Sequence, residues 1–347
     1  MYREFSGSVM TASRVFIIAE VAQAHDGSLG ILHSYIDAVA GTGADAVKFQ
    51  VHIAEAESSE YEPFRVPFSL VDKSRFDYWK RTGFSREQWA GIKNHCQRVG
   101  LEFIASPFSV AAAKLLDELD VRTFKVASGE IRNYLMLDYM ARTGRDLWIS
   151  TGMSSYAEIQ DTLDFLESIP GRGKRVLFQC TTAYPTPPEQ VGLNVIAEMK
   201  GKFGLPVGLS DHSGTIYAPL AAVSLGAGYL ESHVVFDRRM FGPDSPASLT
   251  LDEFAQMVAG VRFIEKAMRN PVNKDDASKY SGLKEIFGKS LAVCRDKVAG
   301  SEIAQDDLES KKPADKGIPA EEFRSVLGKR LKKDLSAGSF ITRNDLS

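Results

Sequence analysis

Leu205-Pro206-Val207-Gly208-Leu209-Ser210-Asp211-His212 is a short apolar run that ends in a histidine, and Ala227-Gly228-Tyr229-Leu230-Glu231-Ser232-His233 repeats the pattern. A helical stretch follows each run. A run this short and this apolar is how a parallel strand reads when both of its faces are covered. Polar residues gather at the C-terminal ends of the runs, the ends at which parallel barrels do their chemistry. Two imidazoles at neighbouring strand ends can share one divalent metal ion.

The same unit extends backwards through the chain. Strand candidates fall at Val15–Glu20, Ala46–Val51, Glu102–Ser106, Thr123–Ser128, Leu147–Thr151, Val176–Thr181, Pro206–Asp211 and Tyr229–His233, each followed by a helical stretch. Capping boxes at Ser85–Gln88, Ser155–Glu158 and Thr250–Glu253 mark helix starts. Eight strand–helix alternations predict an α/β fold closed as a (β/α)8 barrel. An open doubly wound sheet would call for a Gly-rich phosphate turn after the first strand. Glu20-Val21-Ala22-Gln23-Ala24-His25-Asp26-Gly27 is not one. The expected layout is a barrel domain over 1–270, a linker over 271–284 and a β-rich module over 285–347. The module repeats itself: Asp296-Lys297-Val298-Ala299-Gly300-Ser301-Glu302-Ile303 is echoed by Asp334-Leu335-Ser336-Ala337-Gly338-Ser339-Phe340-Ile341. The segment from His52 to Phe84 exceeds an ordinary strand–helix loop. It reads equally as a self-packed surface excursion or as a lid over the barrel mouth.

Composition narrows the class. Of 347 residues, 42 are Lys or Arg and 45 are Asp or Glu, a formal net charge of −3. That balance favours neither nucleic acid nor an anionic membrane as partner. No apolar stretch approaches the roughly 20 residues of a membrane span, and Met1 to Arg14 lacks a secretory pattern. The three cysteines, Cys96, Cys180 and Cys294, are far apart, which fits a reducing, cytoplasmic setting.

Strand ends supply the candidates for chemistry: Glu20, Lys48, Gln50, Ser106, Lys125, Ser128, Glu130, Ser150, Thr182, Tyr184, Ser210, His212, Glu231 and His233, with Asp244 just after the last strand. Lysine on a buried strand is costly unless it meets an anion. Lys48 and Lys125 with the serine hydroxyls therefore suggest a phosphate or carboxylate site. The structural alternative is that the lysines pair with Glu20 and Glu130 to close a polar layer. Imidazole and oxygen ligands without thiolate suit Mn²⁺, Fe²⁺, Co²⁺ or Zn²⁺. His25 is expected near the mouth and His33 and His95 on helices, while His52 has no assigned place. Cys180 reads as a small buried filler.

Several segments resemble the sialic acid synthase family. They are Phe16-Ile17-Ile18-Ala19-Glu20, Gly43-Ala44-Asp45-Ala46-Val47-Lys48-Phe49-Gln50, Ser106-Pro107-Phe108, Lys125-Val126-Ala127-Ser128-Gly129-Glu130, Ser150-Thr151-Gly152-Met153, Tyr184-Pro185-Thr186-Pro187, Gly208-Leu209-Ser210-Asp211-His212, Glu231-Ser232-His233 and Gly242-Pro243-Asp244. The resemblance implies a TIM barrel followed by an antifreeze-like (SAF, β-clip) domain, in a domain-swapped homodimer. It implies condensation of phosphoenolpyruvate with an open-chain N-acetylated hexosamine, giving a nonulosonic acid and phosphate. By the same resemblance, Lys48, Lys125, Ser128, Ser150 and Ser210 contact phosphoenolpyruvate, and Ser106, a substrate-binding candidate, stands where the family often has Thr. His212 and His233 hold a divalent metal, usually Mn²⁺, with Mg²⁺ or Co²⁺ as alternatives. Glu20, Gln50, Glu130, Tyr184 and Asp244 take sugar-binding and catalytic positions, with Glu20 or Asp244 handling the protons of the attacking water and Glu130 orienting the sugar.

Three departures bear on the acceptor. Ser232 replaces a usual Lys, Thr182 a frequent Asn, and Lys312-Pro313 a common Arg-Pro whose Arg reaches the sugar. An ammonium does not reproduce the planar guanidinium fork, so the acceptor can be a diacetamido-deoxyhexose rather than N-acetylmannosamine. Two rival readings are a Schiff-base pyruvate aldolase using Lys48 or Lys125, and a sugar-binding protein without catalysis.

Overall fold

The computed structural model describes residues 14–347; the stretch read for a secretory leader lies, apart from Arg14, outside them. The chain divides into two compact units, the first ending at Asn270 and the second spanning Pro271–Ser347.

The first unit is a closed barrel of eight parallel strands: β1 Phe16–Ala22, β2 Ala46–Val51, β3 Glu102–Pro107, β4 Thr123–Val126, β5 Asp146–Ser150, β6 Arg175–Cys180, β7 Val207–Asp211 and β8 Tyr229–Val235. Each strand pairs with the next, and β1 pairs with β8 to close the ring. Helices surround it: α1 Leu29–Ala40, then α2 Ala54–Glu57, α3 Arg75–Thr82 and α4 Arg86–Arg98 between β2 and β3. They continue as α5 Val110–Glu118, α6 Tyr134–Arg142, α7 Tyr156–Glu167, α8 Leu193–Phe203, α9 Tyr217–Ser224 and α10 Leu251–Arg269. The capping boxes read at Ser85, Ser155 and Thr250 open α4, α7 and α10.

Side-chain alternation along each strand sorts the barrel into layers. Ile17, Ala19, Val47, Phe49, Phe103, Phe124, Ile149, Leu177, Leu209 and Leu230 belong to the main core shared with the helices. The opposite positions face inward. At the bottom, Phe16, Ile18, Ile104, Trp148, Val176, Phe178 and Tyr229 form a separate apolar plug. Nearer the C-terminal ends of the barrel strands come Glu20, Lys48, Lys125, Ser150, Ser210 and Glu231, all buried. The aromatic plug therefore closes the barrel below and leaves the polar layer facing the C-terminal mouth. The register sets Glu20 beside both Lys48 and His233.

Strand ends shift by one or two residues from the sequence reading, β1 for instance running on to Ala22, and two of these shifts bear on the site. β4 stops at Val126 because Ser128–Glu130 coils into a 3₁₀ turn, which brings Ser128 to the rim. β8 runs past His233 to Val235, where the two-residue β9, Leu249–Thr250, pairs with it.

The second unit carries α11, Ser281–Phe287, and an antiparallel pair, β10 Ser290–Val293 with β11 Leu308–Lys311. Its core gathers Leu291, Val293, Ile303, Ile318, Val326, Leu331, Leu335, Ile341 and Leu346. The sequence repeat becomes a reciprocal contact. Asp296 accepts a hydrogen bond from Ala337 N and Asp334 accepts one from Ala299 N, both 2.7 Å. Gly300 and Gly338 turn the two copies at φ +80° and +82°, a conformation that disfavours any side chain.

Candidate active site

The polar layer is a compact ion cluster. Lys48 Nζ lies 3.1 Å from Glu20 Oε2 and 3.6 Å from Glu231 Oε1, and it donates to Ser106 Oγ at 3.2 Å. Lys125 Nζ lies 3.5 Å from Glu231 Oε2. It donates to Ser150 Oγ and, at 3.4 Å, to Ser210 Oγ. Glu231 thus stands between the two ammonium groups, yet its Oε2 has no hydrogen-bond partner; the contact with Lys125 is ionic rather than directional. Burial works against the charge on Lys48, but Glu20 and Glu231 outweigh it and hold its pKa above the ordinary value. Burial prevails at Lys125, which is held below it despite Glu231. For Glu231 the two lysines overcome burial and keep the carboxyl low. Two lysines and two glutamates balance, so an added anion meets local donors in a dry site where charge interactions are strong.

Above this layer the two strand-end imidazoles meet. The His212 and His233 rings are 5.2 Å apart, and Tyr184 packs on His212 at 4.0 Å. His212 Nδ1 lies 2.9 Å from the Thr181 carbonyl oxygen. A carbonyl only accepts, so Nδ1 carries the hydrogen and Nε2 keeps a free lone pair. Burial, with repulsion from His233, lowers the His212 pKa to about 3, and the ring is neutral at pH 7. A neutral imidazole whose second nitrogen is fixed by an outer partner is the form that ligates metals. Among the described residues, no three or more His, Cys, Asp or Glu converge on a ready-made metal cage. An ion held by the imidazoles would therefore take its remaining ligands from water and substrate.

The segment between β2 and α4 covers the mouth. Phe64, Phe68 and Phe76 pack on Ala54, Tyr78 and Trp79 in a small core of their own. Arg65 reaches from it across the opening, donating to Asp244 Oδ1 at 2.7 Å and lying 4.0 Å over the Tyr184 ring. On the opposite side, Gly152 makes room for crowded hydroxyls. A Cβ there would lie 2.6 Å from Thr182 Oγ1 and 2.7 Å from Ser128 Oγ.

The profile of the NeuB family matches residues 35–273, and that of the SAF domain matches residues 288–347. The chain belongs to the NeuB family. It is accordingly a transferase of the acid-synthase type. N,N'-diacetyllegionaminic acid synthase of Campylobacter jejuni is 32% identical over 332 residues, covering 94% of this chain and 99% of that one. N-acetylneuraminate-9-phosphate synthase of Mus musculus is 33% identical over 320 residues, covering 91% and 88%. Among solved structures, the N-acetylneuraminic acid (sialic acid) synthetase of Leptospira borgpetersenii in complex with citrate superposes with a TM-score of 0.68 at 29% identity, covering 79% of this chain and 91% of that one.

Within this NeuB barrel, Glu20, Lys48, Gln50, Ser106, Lys125, Ser128, Ser150, Thr182, Tyr184, Ser210, His212, His233 and Asp244 line one cavity. Glu130 does not. It turns aside to accept from Asn133 Nδ2 at 2.7 Å, and the carboxylate that pairs with the lysines is Glu231, not Glu130. Lys312 belongs to the second unit, where its ammonium sits 4.8 Å from the Phe287 ring. Cys180 is more than filler: its thiol lines the cavity 3.5 Å from Ser128 Oγ and 3.9 Å from His212 Nδ1. Burial raises its pKa, so it is a neutral wall and not a nucleophile. His25 is buried away from the cavity, accepting from Gly27 N at Nδ1. Arg65 and His52 line the cavity and were not singled out from the sequence. Arg65 lies in an aperiodic stretch and His52 one residue beyond a strand, and neither belongs to a recognisable motif. Among the described residues no helix is long and apolar enough to cross a membrane.

Proposed function

We propose that this chain condenses phosphoenolpyruvate with the open-chain form of an N-acetylated hexosamine, or of a related diacetamido-deoxyhexose, in a metal-dependent reaction that gives a nonulosonic acid and inorganic phosphate. The observation that carries this reading is the pairing, in one cavity, of a lysine–serine cradle with two close imidazoles. Lys48 and Lys125, with Ser106, Ser150 and Ser210, offer charged and neutral donors for a phosphate and a carboxylate. Ser128 and Thr182 continue the donor set towards the mouth. His212 Nε2 and His233 would hold the divalent ion, most simply Mn²⁺, with Mg²⁺ or Co²⁺ as alternatives. When bound, the ion supplies a Lewis acid for the sugar's carbonyl group. Phosphoenolpyruvate brings about three negative charges into a balanced layer, so a divalent cation also offsets local charge.

The C2=C3 π pair of phosphoenolpyruvate bonds carbon 3 to the sugar's carbonyl carbon. The C=O π pair moves onto the sugar oxygen, which takes up a proton to become a hydroxyl, and carbon 2 is left electron-poor. A water molecule adds to carbon 2, and phosphate leaves by C–O cleavage. Glu20 is the residue we assign to the water's proton. It is buried at the cavity floor, where its Oε2 is paired with the Lys48 ammonium at 3.1 Å and can pass a proton within the ion cluster, whereas Asp244 accepts from Arg65 out at the mouth. Tyr184 and Asp244 bind the sugar at the mouth. In this reading the enzyme is cytoplasmic and a homodimer; analytical ultracentrifugation tests the assembly.

The experiment is to mix the protein with phosphoenolpyruvate and Mn²⁺, offering N-acetylmannosamine, its 6-phosphate, mannose and 2,4-diacetamido-6-deoxyhexoses in turn. Phosphate release and the mass of the acid are then measured. One acceptor is expected to give both, with activity lost to a chelator and restored by the metal. Absence of phosphate release from every acceptor, or full turnover after chelation, would overturn the proposal.

A further inference from the structure

One histidine in the cavity wall is left without a role by the reaction. His52 follows β2, and its side chain is 3% exposed. Its ring is clamped on both faces, 3.7 Å from Trp79 at 11° and 4.2 Å from Phe108 at 20°. Both nitrogens are engaged: Nδ1 lies 2.6 Å from Glu57 Oε1, and Nε2 lies 3.2 Å from Gln50 Oε1. Gln50 in turn donates from Nε2 to Glu20 Oε1 at 3.0 Å. The four side chains form an unbroken line, Glu57–His52–Gln50–Glu20, from α2 to the cavity floor.

The orientation of the Gln50 amide is what this line fixes. An amide can turn about its last torsion and exchange oxygen for nitrogen at little cost. Turned one way, Gln50 offers N–H to the Glu20 carboxylate; turned the other way, it sets its oxygen against it. Glu57 Oε1 takes the hydrogen on Nδ1, so Nε2 donates as well only in the imidazolium form, for which the Glu57 carboxylate is the counter-ion. That form requires the amide oxygen to face His52 and so sends the N–H to Glu20. The two aromatic faces and the Glu57 contact stop the imidazole from tilting or rotating. We propose that His52 is a positioning residue: through Gln50 it holds the Glu20 carboxylate in its working orientation. Trp79 lies on α3 of the segment that covers the mouth, so the same stack ties that segment to Glu20.

This inference rests on the assignment of Glu20 in the proposed reaction, and its test separates the two. His52→Phe keeps a flat ring between Trp79 and Phe108 but removes the donor. His52→Gln places an amide N–H near the position of Nε2 but gives up the full stack. If His52 acts through Gln50, His52→Phe lowers kcat about 10²-fold, the cost of a small misplacement at a reacting centre. KM for phosphoenolpyruvate then stays within about twofold, and His52→Gln recovers most of kcat. In a Gln50→Ala background, His52→Phe costs nothing more, because the two act as one unit. Full activity in His52→Phe, or additive losses in the double variant, overturns the proposal. Should His52→Phe fail to fold, Glu57→Ala, on the outer end of the line, is expected to lower kcat with the same unchanged KM; unchanged kcat there is equally damaging. A crystal structure of His52→Gln gives a readout independent of turnover: Gln50 Nε2 stays on Glu20 if the positioning claim holds and departs if it does not. If the unaltered enzyme releases no phosphate, the reaction is wrong while the crystallographic arm still judges His52.

Discussion

Glu231→Gln tests the ion cluster directly. The substitution keeps the shape of the side chain and deletes one charge between two lysines. Glu231 lies 3.6 Å from Lys48 Nζ and 3.5 Å from Lys125 Nζ. At an effective dielectric constant of about 20, each attraction is worth about 5 kcal/mol before desolvation. Lys48 keeps Glu20 at 3.1 Å, but Lys125 loses its one carboxylate partner among the described contacts. Removing one partner of a buried pair costs about 3–5 kcal/mol, and in a domain of this size that lowers Tm by on the order of 10 °C. The same deletion favours an incoming anion. Removing a unit negative charge from between the two lysines relieves repulsion of the bound anion, so the Kd for phosphoenolpyruvate should fall. Differential scanning fluorimetry, with and without phosphoenolpyruvate, reads both effects. The free variant should melt well below the parent, and phosphoenolpyruvate should raise its Tm by more than it raises the parent's. A free variant melting within about 2 °C of the parent would show that Glu231 does not bridge the lysines. Weaker binding of phosphoenolpyruvate would show that the cradle is not an anion site.

Arg65→Ala removes a half-exposed ion pair worth at most about 1 kcal/mol of stability, so Tm should hold. Steady-state kinetics should show KM for the sugar raised about tenfold, because Asp244, which we place on the sugar, loses the charge-assisted hydrogen bond that holds it, and a KM unchanged for both substrates would show that Arg65 does not position Asp244. His25 is held neutral by burial, then by repulsion from His52 and Arg81, at a pKa of about 3. Between about pH 6.5 and 3 the unfolded chain binds a proton that the folded chain refuses, so this residue's share of stability falls with pH by up to about 1.4 kcal/mol per unit. His25→Asn keeps an acceptor for Gly27 N and should flatten the acid limb of a urea-stability profile; an unchanged slope would rule out His25 as its source.

The barrel was legible because its signals are local. Capping boxes need four residues, and alternation along β1 or β8 separates Ile17 and Leu230 from Glu20 and Glu231 without any knowledge of neighbours. The repeat around Asp296 and Asp334 was legible for the same reason. What sequence did not reveal depends on closure. Glu130 and Glu231 both stand at strand ends, and only the pairing of the ring decides which one meets the lysines. The 3₁₀ turn at Ser128–Glu130 carries Glu130 off the inward face, an event that no periodicity announces. Arg65 and His52 owe their places to an aromatic cluster assembled from an aperiodic stretch, and such a stretch has no face to read.

The two lysines also decide between carbon–carbon condensation and the imine chemistry of an aldolase. A Schiff base needs an unprotonated amine that can reach a carbonyl carbon. Lys48 is held charged by Glu20 and Glu231. Lys125, lowered by burial, is the one an aldolase would use. Its Nζ is nevertheless enclosed by Ser150, Ser210 and Glu231, with the Phe178 ring 4.7 Å below it. Attack on pyruvate would break these contacts together and leave Glu231 with Lys48 alone. An imine mechanism would also leave the neutral His212 and its neighbour His233 idle beside the reaction. Borohydride with pyruvate should therefore leave the mass of the intact chain unchanged. A reduced pyruvyl adduct on Lys125 would reverse the argument, because it would show that Lys125 gives up its donors and works as a nucleophile.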